Sequence, residues 1–417
     1  LSQMKPDLDL MFSCGVNHMF FHGTPYSPGN ARWPGWQFYA SVNMSPTNSI
    51  WRDAPWLMRY IRRCQSFLQW GDPDNDFLVV LPVKEMWKKD TRHPLMLFDI
   101  HSMDKKAPEF IRAIHEIDSL GYDCDYISER QLARAKRVGE QWITEAGTRY
   151  RGLIDLTKPI DNQALTCLAK AEPMRTQLHL RAIRRRNGMG YHYFIANLMP
   201  NDVDSYVPLA VAWHDALWYD PLTGKRYAVE QRNGQLHVAL RSGESMILQT
   251  FDRALPQALA ALPHRALPGR QTKELNGPWQ LAFEQSAPTV RRTWTLDKPQ
   301  TWETLGDDSA AVTMGSGAYT TTFRLSADEA RRPWLIDLGD VRESAEVWVN
   351  GRFAGCAWSV PFTLDISGLL KKGDNTLRVV VTNLPANRIA DMDRRGIPWR
   401  VMKDINVVDL QYHKTNY

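Results

Sequence analysis

Residues 1–84 contain no glutamate; the acids in that stretch are Asp7, Asp9, Asp53, Asp72, Asp74 and Asp76, and Glu85 is the first Glu. Cysteine is also scarce. The five cysteines, Cys14, Cys64, Cys124, Cys167 and Cys356, are widely spaced and odd in number, with no C-x-x-C pair and no histidine cluster. This argues for buried thiols and against a disulfide frame or a zinc site. No apolar run approaches the roughly 18 residues that a membrane helix needs, so no membrane partner is expected and the protein should be soluble. No G-x-G-x-x-G or Walker sequence occupies a strand-to-helix turn, which argues against a nucleotide site. The net charge of +5 is thinly spread over 417 residues. The one dense basic run, Arg181 with Arg184-Arg185-Arg186, leads into an apolar strand, and a solvated strand edge explains it without a nucleic-acid partner.

Aromatic residues are abundant: 16 Trp and 14 Tyr. Flat rings of this kind either stack on the apolar faces of sugars or fill large cores, and composition alone does not choose. The length fits roughly three domains of about 100–200 residues each. Pattern changes divide the chain more finely, into 1–75, 76–175, 176–254, a linker at 255–270, and 271–417. The sequence opens at Leu1 without a methionine or leader and stops at Tyr417 inside what reads as strand (Val407, Leu410, Tyr412). It is therefore expected to be a fragment of a longer protein.

In residues 1–75, Met4, Leu8, Met11 and Phe12 lie at helical spacing and Gly15 stops the helix. An apolar strand, Val16 to Phe21, follows and ends at His22. A loop rich in Pro, Gly and aromatics carries Trp33 and Trp36, and an amphipathic helix runs from about Ala54 to Trp70. Helix, strand, elaborate loop, helix is one step of a (β/α) barrel, whose strand-end loops face substrate. From Phe77 short apolar strands alternate with helices, which predicts a parallel sheet covered on both faces. Leu178 to about Asp252 reads as all β, with Asn187-Gly188 and Asn233-Gly234 as hairpin turns and a strand from Val207 to Trp213. The last segment holds Ala345-Glu346-Val347-Trp348-Val349 and Arg352-Phe353-Ala354-Gly355 on either side of Asn350-Gly351, then a turn at Gly373-Asp374-Asn375 and a period-2 strand to Thr382.

This last pattern resembles the sugar-binding jelly-roll domain of family 2 glycoside hydrolases. The chain as a whole looks like glycoside hydrolase family 106, the α-L-rhamnosidases. That resemblance rests on Gly15-Val16-Asn17-His18 with His22, on Trp36, on Arg63-Cys64-Gln65-Ser66-Phe67-Leu68-Gln69, and on Asn387 to Gly396 with Lys403-Asp404-Ile405-Asn406. It implies a barrel remnant, a flavodoxin-like α/β domain, an antiparallel β-sandwich and a C-terminal jelly roll. It further implies inverting hydrolysis of α-L-rhamnosidic bonds in an oligosaccharide or polysaccharide, secreted or periplasmic location, two catalytic glutamates, and a calcium ion in the complete enzyme.

Glycoside hydrolysis needs two carboxyl groups. The acids of residues 1–84 read as solvated surface or helix caps, so the catalytic pair is expected upstream of this sequence, and no catalytic or metal-binding residue is assigned within it. The candidate substrate contacts are His22, Trp36, Trp33 and His18. His22 has two readings, a donor to a sugar hydroxyl or a loop histidine tied to a carbonyl. His18 reads first as a satisfied core histidine. Trp33 and Trp36 either stack on a sugar or wedge the loop, with substrate contact preferred for Trp36. Trp348 is expected in the core. Trp358 is the better candidate for exposure, with a domain contact as its default. Asp391, Asp393 and Asp404 are expected to pair with Arg388, Arg394, Arg395 and Arg400 rather than to hold calcium. Two further readings stay open: a family 2-type β-glycosidase relative, and a non-catalytic carbohydrate-binding protein.

Overall fold

The computed structural model describes residues 1–22, 26–37, 43–89, 102–156, 159–255, 259–262 and 272–400. The expectations at Val407, Leu410, Tyr412, Asp404 and Lys403 to Asn406 lie outside these residues. Contacts divide the chain into two compact units. The terminal unit comprises Leu1–Leu8, His18–Arg62 and Leu267–Tyr417, and the middle unit comprises Asp9–Asn17 and Arg63–Ala266. Residues 1–75 are thus shared between them, the division falling inside helices α1 (Met4–Ser13) and α2 (Ala54–Leu68). Helix α2 buries Leu57, Tyr60, Ile61, Cys64 and Leu68 of its expected stripe, whereas α1 buries Leu8 and Phe12 together with Lys5 and Asp9 and leaves the expected Met11 46% exposed. Gly15 and Gly71, both at positive φ, follow the two helices, where glycine costs least.

In the middle unit, β1 (Phe77–Val80) lies between β2 (Cys124–Ile127) and β3 (Gly152–Ile154), parallel to both. The unbroken apolar run of β1 follows from burial on two faces. Phe77 and Val79 meet Ile117 and Phe110 of α3 (Pro108–Ser119), while Leu78 meets Ile127 and Tyr150 on the other side. Just before β3, Arg149–Tyr150 joins a small antiparallel sheet instead of extending β3. Between them, the Arg151 N–H turns to donate to the Asp76 carbonyl at 2.7 Å.

An antiparallel sheet follows, built in the order Asp72–Pro73, β4 (Arg181–Asn187), β5 (Gly190–Ala196), β8 (Ser245–Phe251), β6 (Asp215–Tyr219) and β7 (Arg226–Ala228). One face packs Tyr193, Ile195, Trp218 and Leu248 against Val207, Leu236, Val238 and Leu240 of a three-stranded sheet. The strand expected over Val207–Trp213 lies instead at Val203–Val207, because Pro208 has no N–H to continue the ladder. Asn233 and Gly234 take φ of 51° and 75°, as a two-residue type I′ turn requires. In the β4–β5 hairpin, Asn187 and Gly190 are the closing pair, so the turn falls on Gly188-Met189, one residue later than the Asn-Gly signal.

The terminal unit carries a second six-stranded antiparallel sheet: Thr293–Leu296, β9 (Trp279–Ala287), β10 (Met314–Leu325), β13 (Gly373–Thr382), β11 (Ser344–Val349) and β12 (Arg352–Ala357). Trp279, Leu281, Tyr319, Val347, Val349, Leu377 and Val379 form its core. The β11–β12 turn forms at Asn350-Gly351, with φ of 52° and 77°. Two expectations need correction here. Ala345, Val347 and Val349 take the core face, so period-2 alternation places Trp348 on the opposite face with Glu346. Gly373 also begins β13 rather than preceding it as a turn.

Candidate functional site

The apolar segment Val16–Phe21 is assigned no strand, and Phe20 is 85% exposed. Its composition favours β structure, but among the described residues no neighbouring strand pairs with it. His18 is consequently exposed rather than a core residue, with its ring stacked on Phe20 at 4.5 Å between centroids and 5° between planes. His22, at the end of this segment, is exposed.

The loop that follows is fixed by its own small residues. Gly35, at φ 93°, lies so close to Ser27 that a β-carbon would collide with its hydroxyl. The same hydroxyl accepts the Trp36 N–H at 3.0 Å. Thr47 holds the loop from below, donating to the Pro34 carbonyl at 2.7 Å and accepting the Trp33 indole N–H on its own carbonyl at 3.0 Å. Trp33 is therefore satisfied at its only donor. One of its faces is taken by Arg388 of α4 (Ala386–Arg394), whose guanidinium carbon lies 3.9 Å from the ring centroid. Burial lowers the Arg388 pKa from the usual arginine value. Trp33 is thus a wedge that joins the loop to α4. Trp36 is half-buried and meets the edge of Tyr26 at 6.2 Å and 84°, and Tyr26 is 75% exposed. Tyr26 and Trp36, with exposed His18 and His22, are the loop's accessible rings. Such a set can stack on a sugar face and donate hydrogen bonds to hydroxyls.

Several acids of residues 1–84 serve packing. Asp9 and Asp53 are buried, contrary to the expectation of solvated surface, and Asp53 Oδ2 accepts the Ser344 hydroxyl at 2.6 Å. Asp76 is buried too, paired with Arg151 at 3.0 Å and Arg184 at 3.4 Å. Buried acids matched to hydroxyls and arginines hold structure together. On α4, Asp391 pairs with Arg395 at 3.0 Å, and Asp393 accepts the Trp399 indole N–H at 2.6 Å. Among the described residues no three His, Cys, Asp or Glu side chains are grouped to hold a metal. The calcium implied by the family resemblance finds no donor set among the described residues. No helix among the described residues is long and apolar enough to cross a membrane.

Trp358 is buried against Tyr60, with ring centroids 5.7 Å apart, and is the domain contact named as its default. Sequence reading missed Arg388 and Tyr26 as partners of the two tryptophans. Tyr26 sits in the aromatic loop and could have been included. Arg388 meets Trp33 only through folding, so no local spacing announces it.

No protein-family model matches the chain. A curated protein from Formosa agariphila, described as a putative β-glucuronidase, is 31% identical over 131 residues, covering 29% of this chain and 11% of that protein. A solved rhamnosidase from Novosphingobium sp. PP1Y superposes with a TM-score of 0.71 at 22% identity, over 95% of this chain and 43% of its own. A β-glucuronidase from an uncultured Clostridium sp. matches over 28% of this chain and 24% of its own, at 19% identity and a TM-score of 0.25. The chain therefore spans less than half of the rhamnosidase and about a tenth of the curated relative. What the likeness to the rhamnosidase establishes is architecture: mixed α/β and antiparallel β structure shared with part of a glycoside hydrolase.

Proposed function

We propose that this chain is part of a glycoside hydrolase that cleaves α-L-rhamnosidic bonds in an oligosaccharide or polysaccharide. The observation that carries the reading is the rhamnosidase fold running along 95% of the chain. In this reading residues 1–75 belong to the last step of a (β/α)8 barrel, and the C-terminal sheet is that of a sugar-binding-type jelly roll. The exposed apolar segment at Val16–Phe21 fits a barrel strand awaiting its neighbours, since strand propensity without a ladder leaves backbone and side chains open. The buried or arginine-paired state of Asp9, Asp53 and Asp76 fits a catalytic pair supplied by barrel residues outside 1–417. Inverting hydrolysis needs one protonated carboxyl at the leaving oxygen and one ionised carboxyl behind the attacking water. The residues present would bind the sugar: His22 donating to a ring hydroxyl, with Trp36 and Tyr26 presenting aromatic surface.

The test uses the complete gene product with aryl α-L-rhamnoside and aryl β-glucuronide. Rhamnoside turnover is expected, with His22→Ala and Trp36→Ala each lowering kcat/KM by about tenfold or more. Unchanged kcat/KM in both variants would remove this loop from the site, and turnover of the glucuronide alone would overturn the rhamnoside reading. That second outcome is the family 2-type alternative, which the 31% identity to a putative β-glucuronidase favours.

A further inference from the structure

The middle unit has a recess unrelated to the loop around Trp36. Period-2 alternation and register place His192, Gln249 and Leu217 in one row across β5, β8 and β6, on the sheet face turned away from the Tyr193 core. The second half of α2 covers the β5 side of this face. His192 hydrogen-bonds the Phe67 carbonyl near the helix end at 2.7 Å, and Trp70 stacks on the imidazole at 5.0 Å and 10°. After α2, Gly71 turns the chain to Asp72–Pro73 at the opposite edge of the sheet, beyond β4. Nothing from that segment then covers β8, β6 and β7, and an open recess of about 440 Å³ remains where the helix stops.

The lining is specific in chemistry. Phe67, Leu217 and Phe251 give it apolar walls, and Trp70, 37% exposed, adds an aromatic surface at the rim. Gln249 lines the recess at 8% exposure, and among the described residues its amide makes no hydrogen bond. The amide keeps contact with solvent at the recess wall and is open to a hydrogen bond from a ligand. Arg226 stands at the far side, exposed, and among the described residues no carboxylate pairs with it. A free guanidinium fork matches a carboxylate through two parallel hydrogen bonds. The recess therefore asks for a ring-sized molecule with one apolar face, hydroxyls for Gln249 and an acid group for Arg226.

We propose that this recess is a binding site for a uronic acid residue, a carboxylate-bearing pyranoside. Choosing a sugar acid over an aromatic acid rests on the glycan reading above; the recess itself does not. The volume is within the range of small-ligand sites, at roughly 300–1,000 Å³. Its function would be to hold an acidic unit of a heteropolymer.

Titration calorimetry on the purified chain tests this without any turnover, so it can fail while rhamnoside hydrolysis succeeds, and the reverse. The probes are methyl glucuronide, methyl galacturonide, methyl glucoside, benzoate and inorganic phosphate. A uronide should saturate the site at millimolar or lower concentration and bind about tenfold more tightly than the glucoside, or about 1.4 kcal/mol. Arg226→Gln, an exposed change that leaves the fold intact, should abolish that preference, and Gln249→Met should weaken acid and neutral glycosides alike. Absence of saturable uronide binding overturns the proposal. So does an unaltered preference in Arg226→Gln, and so does benzoate or phosphate binding as tightly as the uronide.

Discussion

The two six-stranded sheets handle charge in opposite ways. In the middle unit, charge is enclosed: Arg184 on β4 lies beside the core and pairs with Asp74 at 2.5 Å, Glu172 at 3.2 Å and Asp76 at 3.4 Å. Where α2 covers the other face of that sheet, Arg63 and Arg185 donate to backbone carbonyls and the buried titratable ring is neutral. Desolvation lowers the His192 pKa to about 4, so at neutral pH the ring donates through Nε2 to Phe67 O and accepts at Nδ1 from Asn187. In the terminal unit the core face is apolar and charge lies on the other face. Arg52 pairs with Glu346 and approaches Glu284 at 3.9 Å, and Arg378 pairs with Glu284 while covering Trp348 at 4.8 Å. Where a face is sealed, a neutral imidazole or an arginine-centred ion cluster survives. A half-open face tolerates simple ion pairs because water still screens them.

The largest test of this contrast is Arg184→Leu. Removing the cation leaves half-buried Asp74 and buried Asp76 and Glu172 without their shared partner. The expected loss is about 3–5 kcal/mol in urea unfolding at pH 7.5. Burial already raises Asp76 and Glu172 above ordinary carboxylate values. The variant's deficit should therefore shrink as pH falls and those acids take up protons. A deficit under about 1 kcal/mol would mean the cluster behaves like a surface pair.

Next in size are two pH-dependent effects of opposite sign. His192 titrates near 4 in the fold and near 6.5 when unfolded. Its stabilising contribution is complete above pH 6.5 and is lost as pH falls toward 4. Asp123, beside Arg175, is pushed up to about 6 by burial, against 3.8 ordinarily. Its contribution is complete below pH 3.8 and is lost as pH rises through 6. His192→Gln keeps a donor and an acceptor but cannot titrate, so it should cost more at pH 7 than at pH 4. Asp123→Asn should cost more at pH 4 than at pH 7. Each difference should change by up to about 3 kcal/mol across the window. Slopes of the same sign in the two variants would contradict the contrast between a neutral face and an enclosed charged one.

What could be read from the sequence follows from range. Asn350-Gly351 and Asn233-Gly234 were legible because a type I′ turn is decided by two adjacent residues. The helical stripe of α2 and the parallel strand Phe77–Val80 were legible because period and burial agree over one element, whereas in α1 Met11 is exposed and Lys5 and Asp9 take buried places. Trp348 was misplaced because alternation gives two faces without saying which is inside, and the smaller Ala345, Val347 and Val349 fill the core. Val16–Phe21 had strand composition but lacks a ladder among the described residues, and a ladder is a property of neighbours. The loop with Trp33 and Trp36 was recognisable, whereas Arg388 was not. The recess at Gln249 could not be seen at all, since only register brings Gln249 beside Leu217 and only the helix end leaves them open.

The smallest effect sharpens the contrast most, because it asks whether the terminal sheet's outer charges are ordinary surface chemistry. Arg52 and Glu346 are partly exposed, with side chains 26% and 16% accessible. A double-mutant cycle with Arg52→Met and Glu346→Gln isolates their pairing from the stem contacts that each also makes. The coupling should be about 0.5–1 kcal/mol in low salt. It should fall by roughly half or more in 1 M NaCl, where the screening length is about 3 Å. The Arg184 cluster, sealed from ions, should keep its coupling in the same salt. If the Arg52–Glu346 coupling instead exceeded about 2 kcal/mol and ignored salt, the outer face would be as sealed as the inner one, and exposure would no longer explain why the two sheets distribute charge differently.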